Sequence, residues 1–199
     1  MRLVFASNNA HKLAEVRAMM PADVEVLSLQ DIGFEAEIEE NGTTLEANSA
    51  IKAETVNRWL SANNSSFNGQ PIDGVFADDT GLEIDALDGR PGVYTARWAG
   101  EPEANRKKAL AELAGKENRN AQFRTVITWL KTSGERVVVS GIVRGRIALK
   151  EYGEGGFGYD PIFIPEGYDK TFGELPAEIK NTISHRARAL QELVKQIRD

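Results

Sequence analysis

The chain has 199 residues, 41% hydrophobic and 27% charged, the make-up of an ordinary globular protein. Its 24 Lys and Arg against 30 Asp and Glu leave a formal net charge of −6, which argues against nucleic acid as a partner, since that would need a broad basic surface. There is no cysteine, so disulfide, thiol and zinc–thiolate chemistry are excluded and a reducing cytoplasm fits.

No apolar run approaches the roughly 20 residues that span a bilayer, so no membrane partner is expected. The apolar RLVFA (2–6) reads as a buried strand and is too short for a signal-peptide core. It stops at Asn8-Asn9, and AHKLAEVRAMM (10–20) follows as a helix with Leu13, Val16 and Met20 at helical spacing. VEVLSL (24–29) reads as a second strand. EAEIEEN (35–41) is an acidic run whose plain reading is a solvated face. TTLEANSAIKAETVNRWL (43–60) reads as a helix, with Thr43 and Glu46 at capping-box spacing. SANNSSFNGQPIDG (61–74) reads as a polar, mobile loop, and VFADDTGLEIDAL (75–87) as strand, turn, strand. EANRKKALAELA (103–114) is helical in pattern. AQFRTVITWLK (121–131) and ERVVVSGIVRGRIAL (135–149) alternate as long strands joined by a turn. GEGGFGYDPIFIP (153–165) is a glycine-rich turn into a strand, and the remainder from Pro176 holds a short helix and a terminal one. The order predicts a mixed α/β fold with long antiparallel elements, in a single domain over 1–199.

Three segments carry residues suited to chemistry. Where the first strand enters its helix, backbone N–H groups face outward, as in phosphate-binding helix starts. Lys12 stands in that first turn, where the helix dipole disfavours a cation. A bound anion removes the conflict; the plain alternative is a lysine in solvent, at a cost of about 0.3–1 kcal/mol. TISHRARAL (182–190) repeats the oddity, with Ser184 or Thr182 as cap, His185 and Arg186 in the first turn and Lys180 just upstream. Two such helix starts suggest one polyanion, and the absence of GxxxxGK[ST] excludes a P-loop. Asp78 and Asp79 end an apolar run. Adjacent strand residues point to opposite faces, so at most one faces a given pocket, either as a Mg²⁺ ligand or as the cap of an Asx-turn. In GGFGYDP (155–161), Phe157 and Tyr159 either offer faces to a planar ring or fill the core beneath a tight turn.

SNNAHK (7–12), ADDTGL (77–82), GRPGVYTAR (89–97), GGFGYDPIF (155–163) and ISHRARAL (183–190) occur in the order and spacing of one family. From residue 3 to about 194 the chain resembles the inosine/xanthosine triphosphate pyrophosphatases. The resemblance implies a long mixed sheet flanked by helices, two lobes with the active-site cleft between them, and a homodimer. It implies Mg²⁺-dependent hydrolysis of ITP, dITP and XTP, purine nucleoside triphosphates, to monophosphate and pyrophosphate. On that likeness Ser7, Asn8, Asn9, Ala10, His11 and Lys12 match the triphosphate loop. Glu39 and Asp79 match the metal-linked residues, with Asp79 the proton acceptor. Thr80 stands in the substrate loop, and Lys52 matches a lysine near the phosphates. Phe157, Gly158, Tyr159 and Asp160 match the base loop, and Lys180, His185 and Arg186 the remaining nucleotide contacts. Asn8 replaces the family's usual glycine; asparagine tolerates the left-handed backbone better than most residues. Thr80 replaces the commoner serine, and the 61–74 stretch is longer than usual. Three rival readings are a binding-only regulator without hydrolysis, an RNA-binding module built on Phe157 and Tyr159, and a pyrophosphatase for another modified nucleotide.

Overall fold

A computed structural model describes residues 1–63 and 65–198. β1 (Arg2–Phe5) leads into α1 (Ala10–Met19), whose N-cap Asn9 accepts the Lys12 N–H at 3.1 Å. β2 (Glu25–Leu27) lies parallel to β1 and is shorter than the apolar run around it. α2 (Leu45–Ala62) starts one residue later than the capping-box spacing places it: Thr44, not Thr43, is the cap, and its Oγ1 accepts the Ala47 N–H.

The 61–74 stretch is not a plain loop. β3 (Ser66–Phe67) and β4 (Gln70–Pro71) pair across Asn68 and Gly69, at φ 51° and 74°, the turn this dipeptide favours. Asn64 in that stretch, and Asp199 at the end of the expected terminal helix, lie outside the described residues.

β5 (Gly74–Ile84) runs unbroken through Asp78-Asp79-Thr80-Gly81, where a turn is expected from composition. The strand neighbours β1 and β7 (Asn120–Lys131); it pairs with β1 at Gly74, Val75 and Phe76 and with Gly92 and Pro91 at Leu82 and Glu83, so pairing before and after 78–81 carries it through the local turn preference. After a 3₁₀ turn at Asp85–Leu87 come β6 (Pro91–Gly92) and α3 (Pro102–Glu112). β8 (Arg136–Ile147), β9 (Phe163–Pro165), α4 (Ala177–Ile183) and α5 (His185–Arg198) complete the chain. The seven-stranded sheet has the order β2-β1-β5-β7-β8-β9, with β6 on β5. β1 and β5 are parallel while β8 and β9 are antiparallel, so the fold is mixed α/β, as expected. Among the described residues no helix is long and apolar enough to cross a membrane.

The chain divides into two compact units: Met1–Asp79 with Val126–Ser140 and Ala189–Asp199, and Thr80–Thr125 with Gly141–Arg188. In the first, strand alternation sends Leu3, Phe5 and Phe76 to a cluster with Val16 of α1 and Leu190 and Leu193 of α5. Val4, Ala6, Val75 and Ala77 go to the other face, with Ala53, Val56 and Leu60 of α2. The same alternation therefore carries Asp78 to the α1 side and Asp79 to the α2 side. In the second unit Leu82, Phe123, Val143, Phe163 and Phe172 form a separate core.

Candidate active site

In the first unit, two lysines reach the aspartate pair from opposite faces of β5. Lys12 Nζ lies 2.9 Å from Asp78 Oδ1. The cation at the helix start is thus balanced by a carboxylate that is itself 1% exposed. Lys52, from the buried side of α2, lies 2.9 Å from Glu40 Oε2 and 3.6 Å from Asp79 Oδ1. Burial opposes the Lys52 charge, but Asp79, Asp78 and Glu40 outweigh it and hold its pKa above the ordinary lysine value. Burial pushes the Asp79 carboxyl above the usual carboxylate range, with Lys52 and Lys12 pulling back.

Asp79 Oδ2 is buried without a hydrogen-bond partner. A bare carboxylate oxygen is costly unless something completes it, and hard cations take such ligands. Among the described residues no three His, Asp or Glu side chains converge into a metal cage. The donor set therefore fits an ion held by one or two carboxylates with the rest of its shell from a ligand and water, the habit of Mg²⁺. Glu39 is exposed; the glutamate on Lys52 is its neighbour Glu40. The Glu-x-x-Gly spacing that ends at Gly42 points to Glu39 on the family likeness, while contact with Lys52 depends on where that side chain reaches. Asn48, buried in α2, holds this acidic segment by accepting the Gly42 N–H at 2.8 Å.

The 7–12 loop is mostly exposed. The Asn9 N–H is taken by Ser7 Oγ at 3.2 Å and the Lys12 N–H by Asn9 itself, so the segment is ordered internally. Asn8 does not take up the left-handed backbone expected of a glycine substitute: among the described residues only Asn68 and Asp88 do so without being glycine.

In the second unit, Asp160 Oδ2 accepts the Lys180 ammonium at 2.6 Å and the Phe157 N–H at 2.9 Å. Gly156 must lack a side chain, because a Cβ there would overlap the same Asp160 oxygen. Lys180 Nζ stands 4.7 Å from the Phe157 ring centre, and the Arg186 guanidinium 5.8 Å from it. Arg186 also donates to Thr80 Oγ1 at 3.3 Å, and Thr80 meets the Thr125 hydroxyl at 2.8 Å. Thr125 has no motif to betray it. Ser184, not Thr182, caps α5, accepting the Ala187 N–H, while Thr182 bonds back to Glu178 O. His185 stacks on Phe123 at 4.6 Å. Phe157 and Tyr159 divide the two readings of their loop. Phe157 is half-buried beside two cations; Tyr159 is buried, its OH donates to Thr95 O at 2.7 Å, and burial raises its pKa.

The Ham1 family model matches residues 3–196. The chain belongs to the Ham1 family. It is 48% identical to a Flavobacterium johnsoniae protein named dITP/XTP pyrophosphatase, covering 98% of this chain and 96% of that one. It is 46% identical to a Bacillus subtilis protein of the same name, covering 96% and 94%. The solved structure of the Staphylococcus aureus Ham1 protein superposes with a TM-score of 0.83 at 39% identity, covering 100% of this chain and 98% of that one. This Ham1 chain carries both charged clusters, and the named relatives of it include pyrophosphatases.

Proposed function

We propose that this protein is a Mg²⁺-dependent pyrophosphatase for dITP, ITP and XTP, cleaving between the α- and β-phosphates to leave the monophosphate and pyrophosphate. The names of its relatives support the reaction class. The observation that carries it is Asp79, a buried carboxylate with raised pKa, one lysine beside it and one oxygen without a partner. Asp79 and the Glu39–Glu40 segment would hold the metal, which would supply positive charge against the charge that develops on the phosphates. Asp79 accepts the proton of the attacking water; a carboxylate lifted above its usual pKa is a better acceptor near neutral pH. Lys12, Lys52 and the 7–12 loop take the phosphates and stabilise the leaving pyrophosphate.

Phe157, Gly158, Tyr159 and Asp160 are assigned to the purine, with Lys180, His185, Arg186 and Thr80 around them. Donors from the loop amides, His185 and Arg186 meet a 6-oxo group. Adenine's amino group leaves a donor unpaired, at about 1–3 kcal/mol. The reading includes a homodimer, tested by light scattering, and a cytoplasmic site of action, tested by fractionation.

The decisive assay incubates the protein with ITP, XTP, GTP or ATP, with Mg²⁺ or with EDTA, and measures pyrophosphate and orthophosphate separately. Pyrophosphate from ITP and XTP, abolished by EDTA, is the expected result. Orthophosphate as the first product, or no product at all, overturns the proposal.

A further inference from the structure

We infer that Arg106 is a positioning residue for base selection: it holds the Gly158–Tyr159 peptide in the orientation that presents an N–H, not a carbonyl, to the purine. This rests on the assignment of the 157–160 loop to the base. Arg106 projects from α3 with its side chain 16% exposed, and Nη1 donates to Gly158 O at 2.9 Å. Its Nε lies 3.0 Å from Glu151 Oε1, an ion pair not aligned as a hydrogen bond. The helix under it is anchored. The preceding Asn105, 2% exposed, accepts the Ala99 N–H at 2.6 Å and donates to Ala96 O at 3.1 Å.

Gly158 sits at φ 59°. Reversing the Gly158–Tyr159 peptide turns ψ of Gly158, which has no Cβ to resist it, and φ of Tyr159, which stands at −92°. A charge-assisted bond to the carbonyl holds the peptide against that turn. In a trans peptide the C=O and N–H are antiparallel, so fixing Gly158 O on Arg106 aims the Tyr159 N–H away from it. The Tyr159 side chain is already pinned through its OH to Thr95 O. An N–H suits the 6-oxo group of hypoxanthine or xanthine. The flipped peptide offers a carbonyl, which suits the 6-amino group of adenine. Arg106 therefore biases the loop toward oxo-purines without touching the nucleotide, and no motif marks it in the sequence.

The test compares wild type, Arg106→Ala and Arg106→Lys. It measures kcat and KM for pyrophosphate release from ITP and from ATP, amide exchange of residues 155–160 without nucleotide, and Tm. In Arg106→Ala the ITP-to-ATP ratio of kcat/KM is expected to fall about tenfold or more, the loss of one bond to a charged group. ITP loses through KM, and ATP gains. Arg106→Lys restores most of the ratio, and exchange at 155–160 rises in the alanine variant alone. An unchanged ratio overturns the inference. So does an equal loss on both nucleotides with lowered Tm, which marks a merely structural residue. If wild type releases no pyrophosphate from ITP, the proposed function falls by itself. Exchange then judges the contact, and unchanged exchange overturns the hold on Gly158.

Discussion

In the first unit Lys52 stands 2.9 Å from Glu40 and 3.6 Å from Asp79, and Asp79 keeps a buried oxygen that nothing completes. In the second, Lys180 and Asp160 close on each other at 2.6 Å with both side chains 5% exposed, and Asp160 also takes a backbone N–H from its own loop. One cluster holds charge in an unfinished arrangement; the other uses charge to stiffen a loop. Unfinished electrostatics at a buried acid are a common mark of a reacting site, where strain is retained because a ligand relieves it. A satisfied buried pair beside an aromatic face is better suited to recognition, which needs a shape held before the ligand arrives.

Four measurements break or sharpen this contrast. The largest effect is expected from Asp79→Asn: turnover falls by at least about 100-fold, with the KM for ITP changed far less. Near-normal pyrophosphate release would remove the first cluster's claim to the chemistry. Next, Lys180→Ala removes the ammonium from the buried Asp160 carboxylate, and costs about 3–5 kcal/mol in urea unfolding. Lys52→Ala is expected to cost less, because burial already raises the Asp79 pKa, and an acid so raised takes up a proton more readily once its cation is gone. Equal losses would erase the distinction between the clusters. Third, Phe157→Ala removes a stacking face worth about 1–3 kcal/mol per base, read as a higher KM for ITP at unchanged kcat.

The smallest effect concerns pH. Folding raises the Asp79 pKa above its ordinary value of 3.8, so the folded chain binds more protons than the unfolded one just above that value. Stability contributed at this site is full below the unfolded pKa and falls as pH rises through the folded pKa. Asp79→Asn in metal-free buffer is therefore expected to be more stable than wild type at neutral pH. The gain should disappear as the pH drops below 3.8. A wild type at least as stable as the variant at pH 7 reverses the sign and refutes a strained first cluster.

Much of the fold was legible because it follows from periodicity. RLVFA and the long alternating runs became β1, β7 and β8, and the helical spacings became α1, α2, α3 and α5. The failures share a cause. Turn composition at 78–81 was outvoted by the pairing of β5 on either side of it, with β1 at 74–76 and with β6 at 82–83. In 61–74 the reverse occurred: Asn68-Gly69 carried a hairpin signal that the surrounding polar residues obscured. The cap of α2 moved from Thr43 to Thr44 because helix starts depend on backbone angles as well as on spacing. For the site, residue types were legible and partners were not.

The sequence by itself determined most of the elements, the alternation that separates Asp78 from Asp79, the glycines of the 155–158 loop and the cations at two helix starts. These are properties of near neighbours along the chain, where spacing and stereochemistry act directly. Tertiary structure alone decided that Lys12 meets Asp78, that Glu40 and not Glu39 meets Lys52, that Tyr159 turns into the core while Phe157 does not, and that Arg106 reaches Gly158. Each of these contacts joins residues distant in sequence, or chooses between neighbours of like chemistry. Only packing a particular helix or loop against a particular strand supplies that information.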